Sequence, residues 1–137
     1  MGKRELARMR PMQIQIEPKE NHLLVRLTGR FELTKAEKML SDIIDASLAH
    51  RLPHILIDST DLDEEISILD RFEIGILLAE NQLKDTCYAV LCRDEQLLPD
   101  NFLENVARNR GARLKVITTM GEALTWFETH RSYPTTA

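Results

Sequence analysis

Apolar residues alternate at Met12, Ile14 and Ile16 and again from Leu23 to Leu27, with Glu17-Pro18-Lys19-Glu20-Asn21 between the two runs. A period of two puts alternate side chains on one face of a strand, and the polar, proline-bearing interval predicts a hairpin. Gly29 closes the second strand. The period then lengthens. Ala36, Met39, Leu40, Ile43, Ile44 and Leu48 recur at helical spacing behind Thr34-Lys35-Ala36-Glu37, which has the form of a capping box, so a helix is predicted from Leu33 to Ala49. His54 to Asp58 reads as a third strand. A second helix runs to Leu83 with Ile66, Leu69, Phe72, Ile76, Ala79 and Leu83 as its apolar stripe. Thr86 to Leu91 is apolar on both faces, the mark of a central strand covered on both sides. Pro99 opens a third helix that Gly111 ends. Leu114 to Ile117 forms a fifth strand, and Thr119-Met120-Gly121-Glu122, a second capping box, starts a last helix through Ala123, Leu124, Trp126 and Phe127.

The order β-β-α-β-α-β-α-β-α predicts an α/β domain: a mixed sheet of five strands packed with four helices. Strands joined through helices run parallel, and the opening hairpin adds an antiparallel pair. The 137 residues suit one such domain at 12–130, with a flexible basic leader at 1–11 and a frayed tail at 131–137. No apolar run approaches the ~20 residues of a membrane span, and no signal peptide follows the basic start, so a soluble, cytoplasmic protein is expected. The first ten residues carry a local +3, which leaves −7 on the remainder of a chain whose formal charge is −4. So acidic a body argues against nucleic acid as the main partner.

Five carboxylates, Asp58, Asp61, Asp63, Glu64 and Glu65, fall within eight residues. Hard cations take clustered oxygens, but a calcium loop begun at Asp61 puts Ile66 where glycine is needed and Phe72 where a bidentate Glu should stand. Acids that precede a helix instead favour its positive end, and Asp58 is suited to bonding backbone amides in the turn that follows its strand. His22, His50, His54 and His130 are scattered, and Cys87 and Cys92 point to opposite faces of a strand, so no metal centre is expected. Neither a nucleophile elbow nor a Gly-rich phosphate cradle occurs, and neither catalysis nor a cofactor is expected. Arg108, Arg110 and Arg113 around Gly111 read as a solvated patch or as a complement to a helix C-terminus. The second helix is unusually apolar: beside its stripe it carries Ile68, Ile74, Leu77 and Leu78. Such a helix is buried on two sides or meets a partner. Asp61, Asp63, Glu64, Ile74, Leu77 and Leu78 are therefore the candidate interaction surface, for another protein or for a second copy in a homodimer.

LLVRLTGRFELTKAE, HILIDSTDL and ENVARNRGARLKVITTMGEALTWF, in this order of elements, resemble the STAS domain and its SpoIIAA-like relatives, the fold of anti-sigma-factor antagonists. The resemblance spans residues 12 to 130. It implies a non-catalytic regulatory domain that binds proteins. In better-known STAS domains a serine starts the second helix about nine positions after an Asp of the third strand, and counting nine from Asp58 reaches Ser67. The resemblance thus implies Ser67 as a phosphoacceptor, although Ile66-Ser67-Ile68-Leu69 stands in place of the usual Asp-Ser-Ser-Gly. Without a kinase, the same serine caps the helix or lies in its first turn; in the latter case Asp61 or Asp63 is the cap. Some SpoIIAA-like relatives are grouped with lipid-transfer folds, which implies as a further alternative an apolar small ligand held near the strand ends.

Overall fold

The computed structural model describes residues 10–63, 66–97 and 101–130. Its elements, in chain order, are β1 (Gln13–Pro18), β2 (Leu23–Gly29), α1 (Leu33–His50), β3 (His54–Leu62), α2 (Ile68–Glu80), β4 (Cys87–Leu91), a 3-10 turn (Asp94–Gln96), α3 (Phe102–Asn109), β5 (Leu114–Ile117) and α4 (Met120–Thr129). This is the predicted order. Most of the leader and all of the expected tail lie outside the described residues.

The five strands lie in the sheet in the order in which they occur in the chain, β1 antiparallel to β2 and every later neighbour parallel. Alternation sorts their side chains between two layers. Leu23, Val25 and Leu27, Ile55 and Ile57, Tyr88 and Val90, and Leu114 meet α1, α2 and α3 on one face in a single core. Leu24, Leu56, Cys87, Ala89 and Ile117 meet Ala123 and Phe127 of α4 on the other. Tyr88 is fully buried, and its hydroxyl donates to the Asn81 carbonyl at 3.0 Å, which satisfies the polar atom that this side chain brings into the layer. Gly29 has φ +82, and a Cβ there would stand 2.1 Å from the Pro11 carbonyl oxygen, so the crossing of chain entry and β2 admits only glycine.

Several local expectations are corrected. No capping box forms at Thr34: the helix starts at Leu33 with Glu32 as its N-cap, without a side-chain cap bond. The Glu32 carboxylate is engaged elsewhere, accepting from the Met12 N–H at 3.3 Å and lying 3.0 Å from Lys35 Nζ. Thr119 does cap α4, accepting from the Glu122 N–H at 3.2 Å. β3 does not stop at Asp58 but continues to Leu62, because a two-residue irregularity opposite Leu27 lets the ladder resume at Thr28↔Asp61. α2 ends at Glu80, where the Asn81 side chain donates to the Leu77 carbonyl at 2.9 Å and takes over its last turn.

The stripe along α2 is also not the expected one. Gly75 and Leu78 are its buried residues, while Ile68 and Leu69 stand 61% and 78% exposed. Gly75 is the point of closest approach to α3: a Cβ there would lie 2.7 Å from Val106 Cγ1. Replacing an interior helix glycine by alanine ordinarily favours the helix by about 1 kcal/mol. Here overpacking against a stiff β-branched side chain costs about 1–3 kcal/mol. Gly75→Ala is therefore expected to lower the denaturation midpoint, and pairing it with Val106→Ala to recover part of the loss; equilibrium urea unfolding of the three variants measures both.

Candidate functional site at the junction of the third strand and second helix

The irregularity in β3 is built by short polar side chains. Asp58 Oδ1 accepts from the Thr60 N–H at 3.0 Å and from the Thr60 hydroxyl at 2.6 Å, which locks the backbone two residues on. The amide it bonds lies within the extended strand, not in a turn beyond it. Ser59, buried, donates to the Leu91 carbonyl at 2.8 Å. The 3-10 turn after β4 supplies the remaining ties: Gln96 Nε2 donates to the Ser59 carbonyl at 3.1 Å, and Arg93 donates to the Thr60 carbonyl. Arg93 and Gln96 were not singled out in the sequence, since an isolated Arg and Gln in a loop give no periodic signal.

Past this clamp the chain presents its acids. Asp61 is exposed, and Asp63, mostly buried, lies 3.4 Å from Arg10 Nε. Glu64 and Glu65 lie outside the described residues. Ser67 is the N-cap of α2, its hydroxyl accepting from the Asp70 N–H at 3.1 Å, so neither Asp61 nor Asp63 caps the helix. The serine is exposed, and the first turn it opens carries the exposed Ile68 and Leu69. The expected surface therefore divides. Leu78 is 1% exposed and belongs to the core, and Ile74 and Leu77 pack, half-buried, against that core; the free apolar surface of α2 is its first turn.

Beneath that turn, at the C-terminal ends of β3, β4 and β5, lies an apolar cavity of about 50 Å³ lined by Ile66, Ile74, Val90, Cys92, Phe102 and Val116 among others. It has room for one or two waters or a group of a few heavy atoms, well below the ~300 Å³ of an ordinary small-molecule pocket. The thiols are not poised for nucleophilic work. Burial pushes Cys87 up to about 12, and burial likewise raises Cys92. Among the described residues no three His, Cys, Asp or Glu side chains are placed to share a metal ion.

Of the arginines around Gly111, Arg108 and Arg110 are exposed, as a solvated patch requires, and Arg113 is half-buried; all three also make defined contacts. Arg108 Nε donates to the Leu114 carbonyl at 3.0 Å while its guanidinium lies 5.3 Å from the Trp126 ring centroid. Arg113 donates to the Thr86 and Lys84 carbonyls, and Arg110 sits over Phe72. On the opposite face the His54 ring stacks on Phe127 at 4.9 Å and His22 stacks on the same ring at 6.0 Å. His54 Nε2 lies 3.2 Å from the His130 carbonyl at the end of α4.

No protein-family model matches the sequence, and no curated protein is significantly similar to it. Solved structures are. An anti-sigma factor antagonist from Mycobacterium paratuberculosis superposes with a TM-score of 0.59 at 19% identity, over 84% of this chain and 92% of its own. The chain has the SpoIIAA-like fold. A second structure with that fold, an uncharacterised protein of the DUF3478 family from Shewanella loihica PV-4, superposes with a TM-score of 0.51 at 20% identity, over 86% of this chain and 94% of its own. Both share the SpoIIAA-like arrangement across nearly their whole length, so the likeness expected from the order of elements is confirmed at the level of architecture. No helix among the described residues is long and apolar enough to cross a membrane.

Two outcomes follow from this geometry. Ser67→Ala removes the cap and is expected to cost about 1 kcal/mol of unfolding free energy, whereas Ser67→Asp, another good N-cap, is expected to keep most of it; urea denaturation of both variants checks the pair. His22 is held below its ordinary pKa first by burial and then by the charges of Lys19 and His54. Its contribution to stability is thus present above the unfolded value of ~6.5 and lost as pH falls from there through the folded pKa. Unfolding measured between pH 7.5 and pH 5 is expected to show a decline that His22→Gln reduces.

Proposed function

We propose that this chain is a non-catalytic regulatory module of the cytoplasm that works by binding another protein at the junction of β3 and α2. The observation that carries the reading is the pair Ile68 and Leu69, two large apolar side chains standing side by side in water on the first turn of α2. The capping serine, Ser67, precedes them, and the acids Asp61 and Asp63 lie upstream. Single exposed apolar residues are ordinary, but an adjacent apolar pair bordered by charge on the end of a helix is suited to docking a partner. The anchoring supports this. Ser59, Arg93 and Gln96 tie β3 to β4 and to the turn after it, so the strand that carries Asp61 is held before any partner arrives, and less ordering is lost on association.

The fitting partner presents an apolar depression rimmed by basic side chains, since Asp61 and Asp63 border the site. The SpoIIAA-like architecture, shared with a protein named as an anti-sigma factor antagonist, supports a partner that is itself a regulatory protein. Phosphorylation of Ser67 would fit the same site as a switch: its hydroxyl is exposed at a helix N-terminus, where a phosphate is favoured by the helix dipole but opposed by neighbouring carboxylates. A cavity of about 50 Å³ offers an apolar ligand little room beside this surface.

Affinity recovery from the native cell tests the proposal. Wild type is expected to retain a protein partner that Ile68→Asp and Leu69→Asp lose while their unfolding transitions stay within about 0.5 kcal/mol of wild type, as surface substitutions do. Leu78→Asp, which buries a charge, is expected to unfold instead. Retention of the same partners by the folded Ile68 and Leu69 variants would rule this surface out.

A further inference from the structure

The two edges of the sheet are treated differently. At the β5 edge, residues 113 and 117 bond back toward β4, the Arg113 carbonyl accepting from Tyr88 and the Ile117 carbonyl from Cys92. Leu114 and Val116 therefore turn their backbone groups outward. Side chains of α3 meet them: Glu104 Oε1 accepts from the Val116 N–H at 3.1 Å, and Arg108 Nε donates to the Leu114 carbonyl at 3.0 Å. These two contacts occupy groups that a sixth strand would need.

The β1 edge is guarded only at its ends. The Lys19 N–H donates to the His22 carbonyl, which makes Lys19, Glu17, Gln15 and Gln13 the residues bonded to β2 and turns the backbone groups of Met12, Ile14 and Ile16 outward. Met12 is satisfied by α1, through Glu32 at its N–H and Lys35 at its carbonyl. Pro18 has no N–H to offer. Between them the outward N–H and C=O groups of Ile14 and Ile16 have no partner among the described residues.

We propose that this window is a docking site for a second copy of the chain, β1 against β1 antiparallel about a two-fold axis through Gln15. The window is self-complementary. With Gln15 opposite Gln15 of the second copy, Ile14 of one copy faces Ile16 of the other, and both pairs exchange two backbone hydrogen bonds, about four in all. The guards are also related by this axis, Met12 lying opposite Pro18, so the pairing ends where the open groups end. The adjoining helix adds charge complementarity. Lys35 reaches the β1 edge, and Lys38, Asp42 and Asp45, all exposed, follow it on the same side of α1 at spacings of three and four. The two-fold runs the helices of the two copies antiparallel, which brings the Lys38 half of one toward the Asp42 and Asp45 half of the other. The result is one continuous ten-stranded sheet, formed away from the α2 surface.

Gln13 and Gln15 are both exposed, so cysteine is tolerated at either, and both native thiols are buried. At the axis Gln15→Cys faces its own copy across a close, non-hydrogen-bonded pair of ~4.5 Å between Cα atoms, within disulfide reach. Gln13→Cys is separated from its copy by roughly 13 Å along the strands, four residues at ~3.3 Å each, and is out of reach. Under mild oxidation Gln15→Cys is expected to form a linked dimer about tenfold faster than Gln13→Cys. In sedimentation equilibrium the wild type is expected to rise with concentration toward twice its 15.8 kDa. Gln15→Glu, which opposes two like charges, is expected to weaken that association severalfold. A mass that stays at one chain throughout, or equal crosslinking of the two cysteine variants, would overturn the proposal; loss of partner binding at Ile68 and Leu69 would not touch it.

Discussion

Water must be kept from both faces of β3 and β4, and most of the architecture answers that one demand. Ile55, Leu56 and Ile57 are successive and buried, as are Cys87, Tyr88, Ala89 and Val90, so neither strand has a side that tolerates solvent. A strand that is apolar on both faces needs a layer of helices above and below and a neighbour on each edge. Parallel pairing meets the second need and dictates the first, since each return to the same end of the sheet requires a crossover, and the crossovers are α1, α2 and α3. The last helix, α4, covers the face that the crossovers leave open.

The polar details gather where that demand relaxes. Beyond Asp58 the third strand runs past its pairing with β4 while keeping β2, and backbone groups that a regular ladder would have paired are handed to the side chains of Asp58, Ser59, Arg93 and Gln96. Because each of these is tied to a neighbouring strand or turn, the last residues of β3 are held by hydrogen bonds in addition to the burial of Leu62. A strand end held in this way can carry acids without loosening the core. The arginines of the α3 to β5 segment act in the same way, Arg108 closing off the Leu114 carbonyl at the sheet edge and Arg113 the Thr86 carbonyl just before β4.

The architecture was legible because its signals were periodic. Alternation in β1 and β2, the doubly apolar β4 and the 3.6-residue repeat of α1 each state which side of an element is dry. The site was less legible for the same reason. The irregularity at Ser59 and Thr60 resets the alternation, so Leu62, buried, looked like part of an acidic loop. In α2 nearly every position is apolar, and a pattern without contrast cannot say which stripe faces inward. The answer rested on Gly75, which lets α3 approach and so turns Leu78 in and leaves Ile68 and Leu69 out. Ser67 was found by counting, but its capping bond follows from where the helix begins, which an apolar stripe starting at Ile66 had obscured.

The strand order of the sheet, identical to the order along the chain, has a consequence for how the molecule is made. Each strand after the first docks on a neighbour already synthesised, with no gap held open for a later arrival. Loop closure is then limited to one crossover at a time, and contact order stays low for a mostly parallel sheet. A chain emerging from the ribosome can lay down its sheet from one side to the other, each new strand adding to the edge opposite β1.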